Sequence, residues 1–181
     1  MKYVALLRAI NVGGRNLMRM ADITACLVDR KFECVSTYIQ SGNILFESDV
    51  SDVAKLAASI EHALFETFGH EAPVFLRSYR QMKKVVGDAP KEWKDGAALR
   101  RNVAFLRNPL TASTLVAATH PKAGVDSVKA GNGVVYMTTV MARVQQSGFA
   151  KAVSKAIYRD ITVRSYTTCQ KILALMESDR S

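Results

Sequence analysis

The sequence has no apolar run that approaches the about 20 residues a membrane-spanning helix needs. Its first residues, MKYVALLRAI, contain a short apolar run that Arg8 interrupts and no small-residue cleavage site, so we expect no secretion signal. Cysteine is scarce, since Cys26, Cys34 and Cys169 make an odd number without a CxxC pair. We therefore expect reduced core thiols in a cytoplasmic protein that does not contact a membrane.

The familiar catalytic and metal-binding motifs are also missing. No GxSxG, SxxK or HExxH pattern occurs, and the segment QQSGF lacks the first glycine of a nucleophile elbow. The scattered His62, His70 and His120 predict no metal site, and we expect no cofactor. Because no base or nucleophile can be named, the sequence leaves open whether the protein is an enzyme.

Acidic residues are scarce outside one stretch of the chain, which has a formal net charge of +9. Residues 1–20 hold four basic and no acidic residues, 21–70 hold three basic and eight acidic, and 71–171 hold seventeen basic and six acidic. This asymmetry predicts an anionic partner: a nucleic acid, a nucleotide or a phosphorylated metabolite. The alternative is that Lys and Arg only keep a small protein soluble.

The first half of the chain alternates between strand and helix patterns. KYVALL is apolar enough for a buried strand, and helical spacing follows in MADITACLVDRK. Alternation in VSTYIQSGNILFES predicts two strands joined by the tight turn SGN. Ser51 can cap a second helix that Gly69 ends, and PVFLRSY is a further predicted strand. The order β-α-β-β-α-β is that of a ferredoxin-like unit.

The second half repeats this order, from the strand NVAFLRN and a helix capped by Thr111 through a hairpin around AGNG. QSGFAKAVSKAIY is a predicted helix, and ITVRSYTT begins a strand that runs into a last helix. Three pairs of similar short segments support this repetition: ALLRAIN with AFLRNP, SGN with AGN, and LRSYRQMKKVV with VRSYTTCQKIL. We predict an α+β protein of two ferredoxin-like halves, residues 1–90 and 91–181, related by internal duplication.

The loop RAINVGGRNL lies between a predicted strand and a helix start, where exposed backbone N–H groups can hold an anion. Flanking arginines can add charge-assisted hydrogen bonds, and the amide side chains can orient a ligand. The alternative is a turn that merely needs glycine, because the loop is neither a GxGxxG nor a Walker pattern. The predicted anion site comprises Arg8, Asn11, Gly13, Gly14, Arg15 and Asn16, with Gln40, Ser41, Asn43 and Arg164 nearby.

YVALLRAINVGGRN, MADITACL and VSTYIQSGNILFES together resemble a widespread bacterial family, domain of unknown function 1697, with a hallmark of roughly LLRGINVGG…YIQSGN. The resemblance implies an α+β structure of two ferredoxin-like halves and brings no activity, substrate or cofactor. Ala9 replaces the usual glycine, which predicts that its backbone does not need a positive φ. Residues 163–168 replace a pattern like TRNWNT, losing its Asn and Trp, although Tyr166 can still stack on a ring.

Three functions follow from these patterns. The first is a protein that binds an anionic ligand at the Gly-Gly loop, and the second is an enzyme that uses the loop as a phosphate cradle. The third is an interaction module whose loops serve folding only, with Gln40 bonded to the glycine loop. Base stacking on the sheet by Tyr3 and Phe46 has weaker support. If the two halves pack side by side, we also expect convergence on one cleft of the strand-end arginines Arg8, Arg77, Arg107 and Arg164.

Overall fold

The fold is taken from a computed structural model that describes residues 1–11, 17–94, 98–149 and 155–178. It consists of two compact units, the first formed by Met1–Met82 with Ile172–Ser181 and the second by Lys83–Lys171. Each unit contains one four-stranded antiparallel sheet and helices, which confirms the predicted α+β class. The loop residues Gly13, Gly14, Arg15 and Asn16 lie outside the described residues.

The first sheet has the strand order β2-β3-β1-β4 and the second the order β6-β7-β5-β8. The elements of the first half are β1 (Lys2–Leu7), α1 (Met20–Asp29), β2 (Glu33–Tyr38), β3 (Asn43–Glu47), α2 (Val53–Phe68), β4 (Val74–Ser78) and α3 (Tyr79–Gly87). Those that follow are β5 (Leu99–Leu106), α4 (Ala112–Ala118), β6 (Asp126–Gly131), β7 (Val134–Val140), α5 (Lys155–Tyr158), β8 (Ile161–Ser165) and α6 (Tyr166–Glu177). Lys91–Lys94 and Met141–Gln146 form short 3-10 helices.

The core of the first unit lies between one face of its sheet and helices α1 and α2. Alternate β1 residues point to this face, as the period of two along a strand requires. Burying each large apolar side chain contributes about 1.5–3 kcal/mol. Core members from the sheet and the two helices include Tyr3, Ala5, Leu7, Ile44, Phe46, Ile23, Leu27, Ile60 and Leu64.

The second sheet is buried on both faces. Ala104, Leu106 and Val135 pack with Leu115 of α4 on one face. On the other face the Trp93 ring contacts Tyr136 and Tyr166. Its Nε1 donates a hydrogen bond of 2.8 Å to Thr138 Oγ1, so the buried indole N–H is satisfied.

The predicted helix boundaries are confirmed in part. Gly69 ends α2 with a φ of 69°, and the Thr111 side chain caps α4, both as predicted. The predicted cap at Ser51 is wrong, because the carboxylate of Asp52 accepts from the backbone N–H groups of Ala54 and Lys55. An aspartate serves as well as a serine at this position and adds a charge that favours the helix N-terminus.

Both predicted hairpins form, with Tyr38 paired to Asn43 and Gly131 paired to Val134. The predicted helix over residues 146–158 is described only in part, and its last residues form α5. Among the described helices there is none with the length and apolar character needed to cross a membrane.

The cysteines are all free thiols. Cys26 and Cys169 are buried, as expected for core thiols, but Cys34 is exposed and that expectation is wrong for it. Cys34 lies at a register shift in β2 and has a φ of 50°, which turns its side chain out of the regular alternation.

Candidate functional site

The SGN turn meets the segment that follows β1 at one end of the first sheet. The backbone N–H of Leu7 donates to the carbonyl of Gly42 at 2.7 Å, and that of Arg8 donates to the carbonyl of Pro73 at 3.0 Å. The end of β1, the SGN turn and the start of β4 therefore lie side by side. We call residues 8–11, 17–19 and 39–43 of this end the hairpin edge.

Asn11 ties the two parts of the hairpin edge together. Its Oδ1 accepts a hydrogen bond of 2.8 Å from the backbone N–H of Met18. Its Nδ2 donates to the carbonyl of Met18 at 2.9 Å and to the carbonyl of Gln40 at 3.1 Å. Both hydrogens of the amide are thus engaged within the protein, so Asn11 joins Met18 to the backbone of Gln40.

Asn43 plays a similar part inside the turn. The residue is completely buried, and its Nδ2 donates to the carbonyl of Tyr38 at 2.9 Å and to Ser41 Oγ at 3.2 Å. A buried amide without these partners would cost about 1–3 kcal/mol. The side chains of Gln40 and Ser41 belong to exposed residues at the tip of the turn.

Gly42 brings the turn against the segment that follows β1. Its φ is 76°, and a methyl group in place of its hydrogen would lie 2.7 Å from Ile10 Cδ1 and 2.8 Å from Leu7 Cβ. Real side-chain atoms do not approach so closely, so a larger residue would push the turn outward. Glycine is therefore required here for its backbone conformation and for its small size.

Three residues of the hairpin edge other than glycine have left-handed backbone conformations. The φ angles are 60° at Ala9, 55° at Asn11 and 51° at Ile39. The prediction that Ala9 does not need a positive φ is wrong, because the chain turns there directly after β1. Such a conformation costs about 1–2 kcal/mol, and it is an outlier for a β-branched residue such as Ile39. Strain of this kind concentrates at binding sites, where it fixes a required geometry.

Arg8 and Arg107 follow the first strand of their sheets at equivalent places, but their neighbours differ. The backbone N–H of Arg107 donates to the carbonyl of Asp160, and its Nε lies 3.3 Å from the carboxylate of the same residue. The backbone N–H of Arg8 makes the matching bond to Pro73, whose side chain has no carboxylate. At this place the first sheet therefore has a proline and the second an aspartate.

Helix α1 begins at the hairpin edge. Its N-cap residue is Arg19, whose side chain makes no capping hydrogen bond. The first backbone N–H groups of a helix lack intrahelical partners and carry a partial positive charge. This end of the first unit therefore combines a helix N-terminus with the cationic side chains of Arg8 and Arg19.

The other two predicted arginines lie elsewhere on their sheets. Arg77 is opposite Val4, and Arg164 is opposite Val103. Each of these partners precedes the strand-end arginine by four residues, which is about 13 Å along a strand. Within each unit the two arginines are therefore not brought together.

Arg164 is buried, with only 7 % of its surface exposed. Its Nη1 donates to Thr162 Oγ1 at 3.0 Å and to the carbonyl of Val163 at 2.9 Å. Burial lowers the pKa of both Arg164 and Arg77 to about 10. A guanidinium held in this way supports the sheet and offers little surface to a ligand.

The aromatic residues considered for base stacking are buried. The rings of Tyr3 and Phe46 stack on each other at 5.7 Å inside the core. The Tyr166 ring contacts Trp93 at 4.9 Å, and its hydroxyl donates to the carbonyl of Val86. Two apolar side chains that sequence reasoning missed are exposed at the hairpin edge instead, Leu17 at 69 % and Ile39 at 48 %.

The titratable residues that the structure describes show no grouping suited to a metal. Within the described ranges, no three His, Cys, Asp or Glu side chains come together as ligands. The His62 Nε2 lies 3.4 Å from a Glu66 oxygen, a pair four residues apart on the exposed side of α2. Glu66 also receives a hydrogen bond of 2.9 Å from Arg30, which holds the pKa of its carboxyl below the usual value.

Comparisons with known proteins identify a family and a similar solved structure, but they name no activity. The model of the family described as "Protein of unknown function (DUF1697)" matches residues 1–136, which include the whole hairpin edge. The solved structure of the conserved bacterial protein SP0830 from Streptococcus pneumoniae is similar, with a TM-score of 0.83 and 26% identity over 97% of this chain and 98% of that one. No curated protein matches the chain significantly. The chain therefore belongs to DUF1697, a protein family of unknown function.

Proposed function

We propose that the protein binds a small anionic ligand, a nucleotide or a phosphorylated metabolite, at the hairpin edge and the adjoining Gly13–Gly14 loop. The observation that carries the proposal is the strained backbone of the hairpin edge, with φ angles of 60° at Ala9 and 51° at Ile39. Strain of this kind concentrates at binding sites, where it fixes a required geometry. An arginine beside such a segment can bind a ligand carboxylate or phosphate through paired hydrogen bonds.

The residues of the proposed site divide into two groups. Asn11 and Asn43 hold the described parts of the hairpin edge together, since their amide hydrogens are bonded to the protein. Arg164 does not enter the proposal because its guanidinium is buried. The groups proposed to contact the ligand are the side chains of Arg8, Arg15, Asn16, Gln40 and Ser41 and the backbone N–H groups of Gly13 and Gly14.

The charge of the first unit favours a small ligand at this edge over a nucleic-acid strand. The unit contains ten basic and eleven acidic residues, so it does not attract a long polyanion as a whole. A single phosphate requires only a few convergent donors. Exposed Leu17 and Ile39 beside these donors favour a ligand with an apolar or ring portion, such as a nucleotide.

The proposal is tested by calorimetric titration of the protein with ATP and with inorganic phosphate. Removing one charge-assisted hydrogen bond costs about 1.5–3 kcal/mol, so Arg8→Gln should weaken ATP binding about 10- to 150-fold. Arg107→Gln is the matched control, because it removes the same side chain from the equivalent place of the other sheet. It should leave ATP affinity unchanged.

Two rival outcomes are distinguishable. Binding followed by conversion of ATP to a product would favour an enzyme that uses the same site. No binding of either probe by the wild-type protein would leave the interaction module. The hydrogen bonds by which Asn11 and Asn43 close the hairpin edge favour that alternative over the enzyme, since they account for both residues without a ligand.

We also propose that the two halves are ferredoxin-like and arose by internal duplication. The strand orders of the sheets correspond, and Arg8 and Arg107 occupy equivalent places after their first strands. A cytoplasmic location is proposed on the three free thiols, because a reducing compartment preserves them.

A further inference from the structure

All of the excess positive charge lies in the second unit. Residues 83–171 contain fifteen Lys and Arg and five Asp and Glu, a formal charge of +10, whereas the rest of the chain has ten basic and eleven acidic residues. A charge difference of this size between two units of similar length points to a partner that binds the second unit alone. Solubility does not require the positive charge to be confined to one unit.

Three of the five acidic residues of the second unit, Asp88, Asp126 and Asp160, are engaged by its own groups. Asp88 pairs with Lys84 at 2.9 Å, and Asp160 pairs with Arg107 at 3.3 Å. Burial alone would raise the pKa of Asp126, but hydrogen bonds to its carboxylate outweigh that effect and hold the pKa below its usual value. The donors to Asp126 are the hydroxyls of Ser147 and Thr139 and the backbone N–H groups of Gly148 and Lys122.

Three exposed cationic residues surround the Asp126 end of β6. Arg100 and Asp126 are the two cross-strand partners of Thr139, which places them about 10 Å apart across the sheet. Lys122 donates its backbone N–H to Asp126. The guanidinium of Arg143 lies beside Gly124, 3.6 Å from where a methyl group on that glycine would be. We call Arg100, Lys122 and Arg143 the basic edge.

We propose that the second unit binds the phosphate backbone of a nucleic-acid strand, with the basic edge as its centre. The three side chains are exposed and spread along one end of the sheet, as successive phosphates require. A single small anion would need donors that converge on one point. Two of the three are arginines, and each guanidinium can bind two oxygens of one phosphate at once.

Four further exposed cations of the same unit lie outside the basic edge and add to its attraction for a polyanion. They are Lys91, Lys129, Arg159 and Lys171. Contacts to phosphate carry no sequence information. The binding is therefore expected to be independent of sequence and strongly dependent on salt.

The test measures the affinity of the full chain for a fluorescent mixed-sequence oligonucleotide, as RNA and as DNA, by anisotropy at 50 and 200 mM salt. Each phosphate contact to a single strand adds about 0.7 to the slope of log affinity against log salt. The triple variant R100Q/K122Q/R143Q should lose about two units of this slope. Its affinity should therefore vary about 20-fold less over this range than that of the wild type.

The matched control is K31Q/K55Q/R80Q, which removes three exposed cations from the first unit and gives the same net charge. It should keep the wild-type slope. Equal losses in the two triple variants would overturn the proposal, because total charge and not the basic edge would then explain the binding. If the first triple variant does not fold, each single substitution should still lower the slope by about 0.7.

Other results that would overturn the proposal are the absence of oligonucleotide binding at 50 mM salt and binding only to phosphatidylserine vesicles. The inference does not rest on the proposed ligand of the hairpin edge. Arg8→Gln should leave the salt slope unchanged, and R100Q/K122Q/R143Q should leave ATP binding unchanged. Failure of one proposal is thereby distinguished from failure of the other.

Discussion

Replacing Gly42 by alanine tests how closely the SGN turn is packed against the segment that follows β1. Two penalties add at this position. A residue with a Cβ in the left-handed region costs about 1–2 kcal/mol. The new methyl group would also lie 2.7 Å from Ile10 Cδ1 and 2.8 Å from Leu7 Cβ, and overpacking of this kind costs about 1–3 kcal/mol.

We therefore expect Gly42→Ala to lower the free energy of unfolding by about 2–5 kcal/mol. Urea unfolding followed by far-UV circular dichroism measures this change. Two other glycines separate the penalties. Gly69 has a φ of 69° but open space around its Cβ position, so Gly69→Ala should lose only about 1–2 kcal/mol. Gly87 has open space and no positive φ, so Gly87→Ala should be neutral or gain about 0.5–1 kcal/mol.

The loss of stability should be largest for Gly42→Ala, smaller for Gly69→Ala and absent for Gly87→Ala. If Gly42→Ala were no more destabilising than Gly69→Ala, the close approach of Leu7 and Ile10 would contribute nothing to stability. The requirement for glycine at the turn would then be conformational only. A Gly42→Ala protein as stable as the wild type would refute both the conformational penalty and the packing penalty.

Two further predictions concern the strained backbone and the thiols. Ala9→Gly should raise the free energy of unfolding by about 1 kcal/mol, because glycine adopts the φ of 60° without strain; a loss in the same urea experiment would contradict this. Ellman's reagent should react with only Cys34 in the native protein at pH 8, with Cys26 and Cys169 reacting after unfolding. Burial raises the pKa of the Cys169 thiol to about 12, so its stabilising contribution is complete below about pH 9 and is lost as the pH rises toward 12. Cys169→Ala should flatten this alkaline decline, and an unchanged decline would assign it to other groups.

The pattern of apolar residues was enough to predict most of the local structure. Alternation around SGN and AGNG gave both hairpins, because period two and turn residues together leave few alternatives. Thr111 marked the start of α4 because its side-chain oxygen can cap a helix. Gly69 marked the end of α2 because glycine has no Cβ. Asp52 was missed because Ser51 is equally able to cap a helix. Only the path of the backbone decides which of two adjacent residues takes the N-cap position.

The geometry of the hairpin edge was less accessible to sequence reasoning. Positive φ angles at Ala9 and Ile39 carry no sequence signal, since neither residue prefers that region. The contrast between Pro73 and Asp160 becomes visible only when the register shows that both lie beside a strand-end arginine. Asn11 was predicted to orient a ligand, and its hydrogen bonds to Met18 and Gln40 depend on contacts between distant segments.

The most direct measurement is a 15N-HSQC titration of the labelled protein with ATP, with the backbone amides assigned. If the hairpin edge and its loop form an anion site, the amide signals of Gly13 and Gly14 move saturably, and Arg8→Gln removes the change while Arg107→Gln does not. Amide signals at the loop that stay fixed at millimolar ATP, or that respond identically in both variants, would contradict the account.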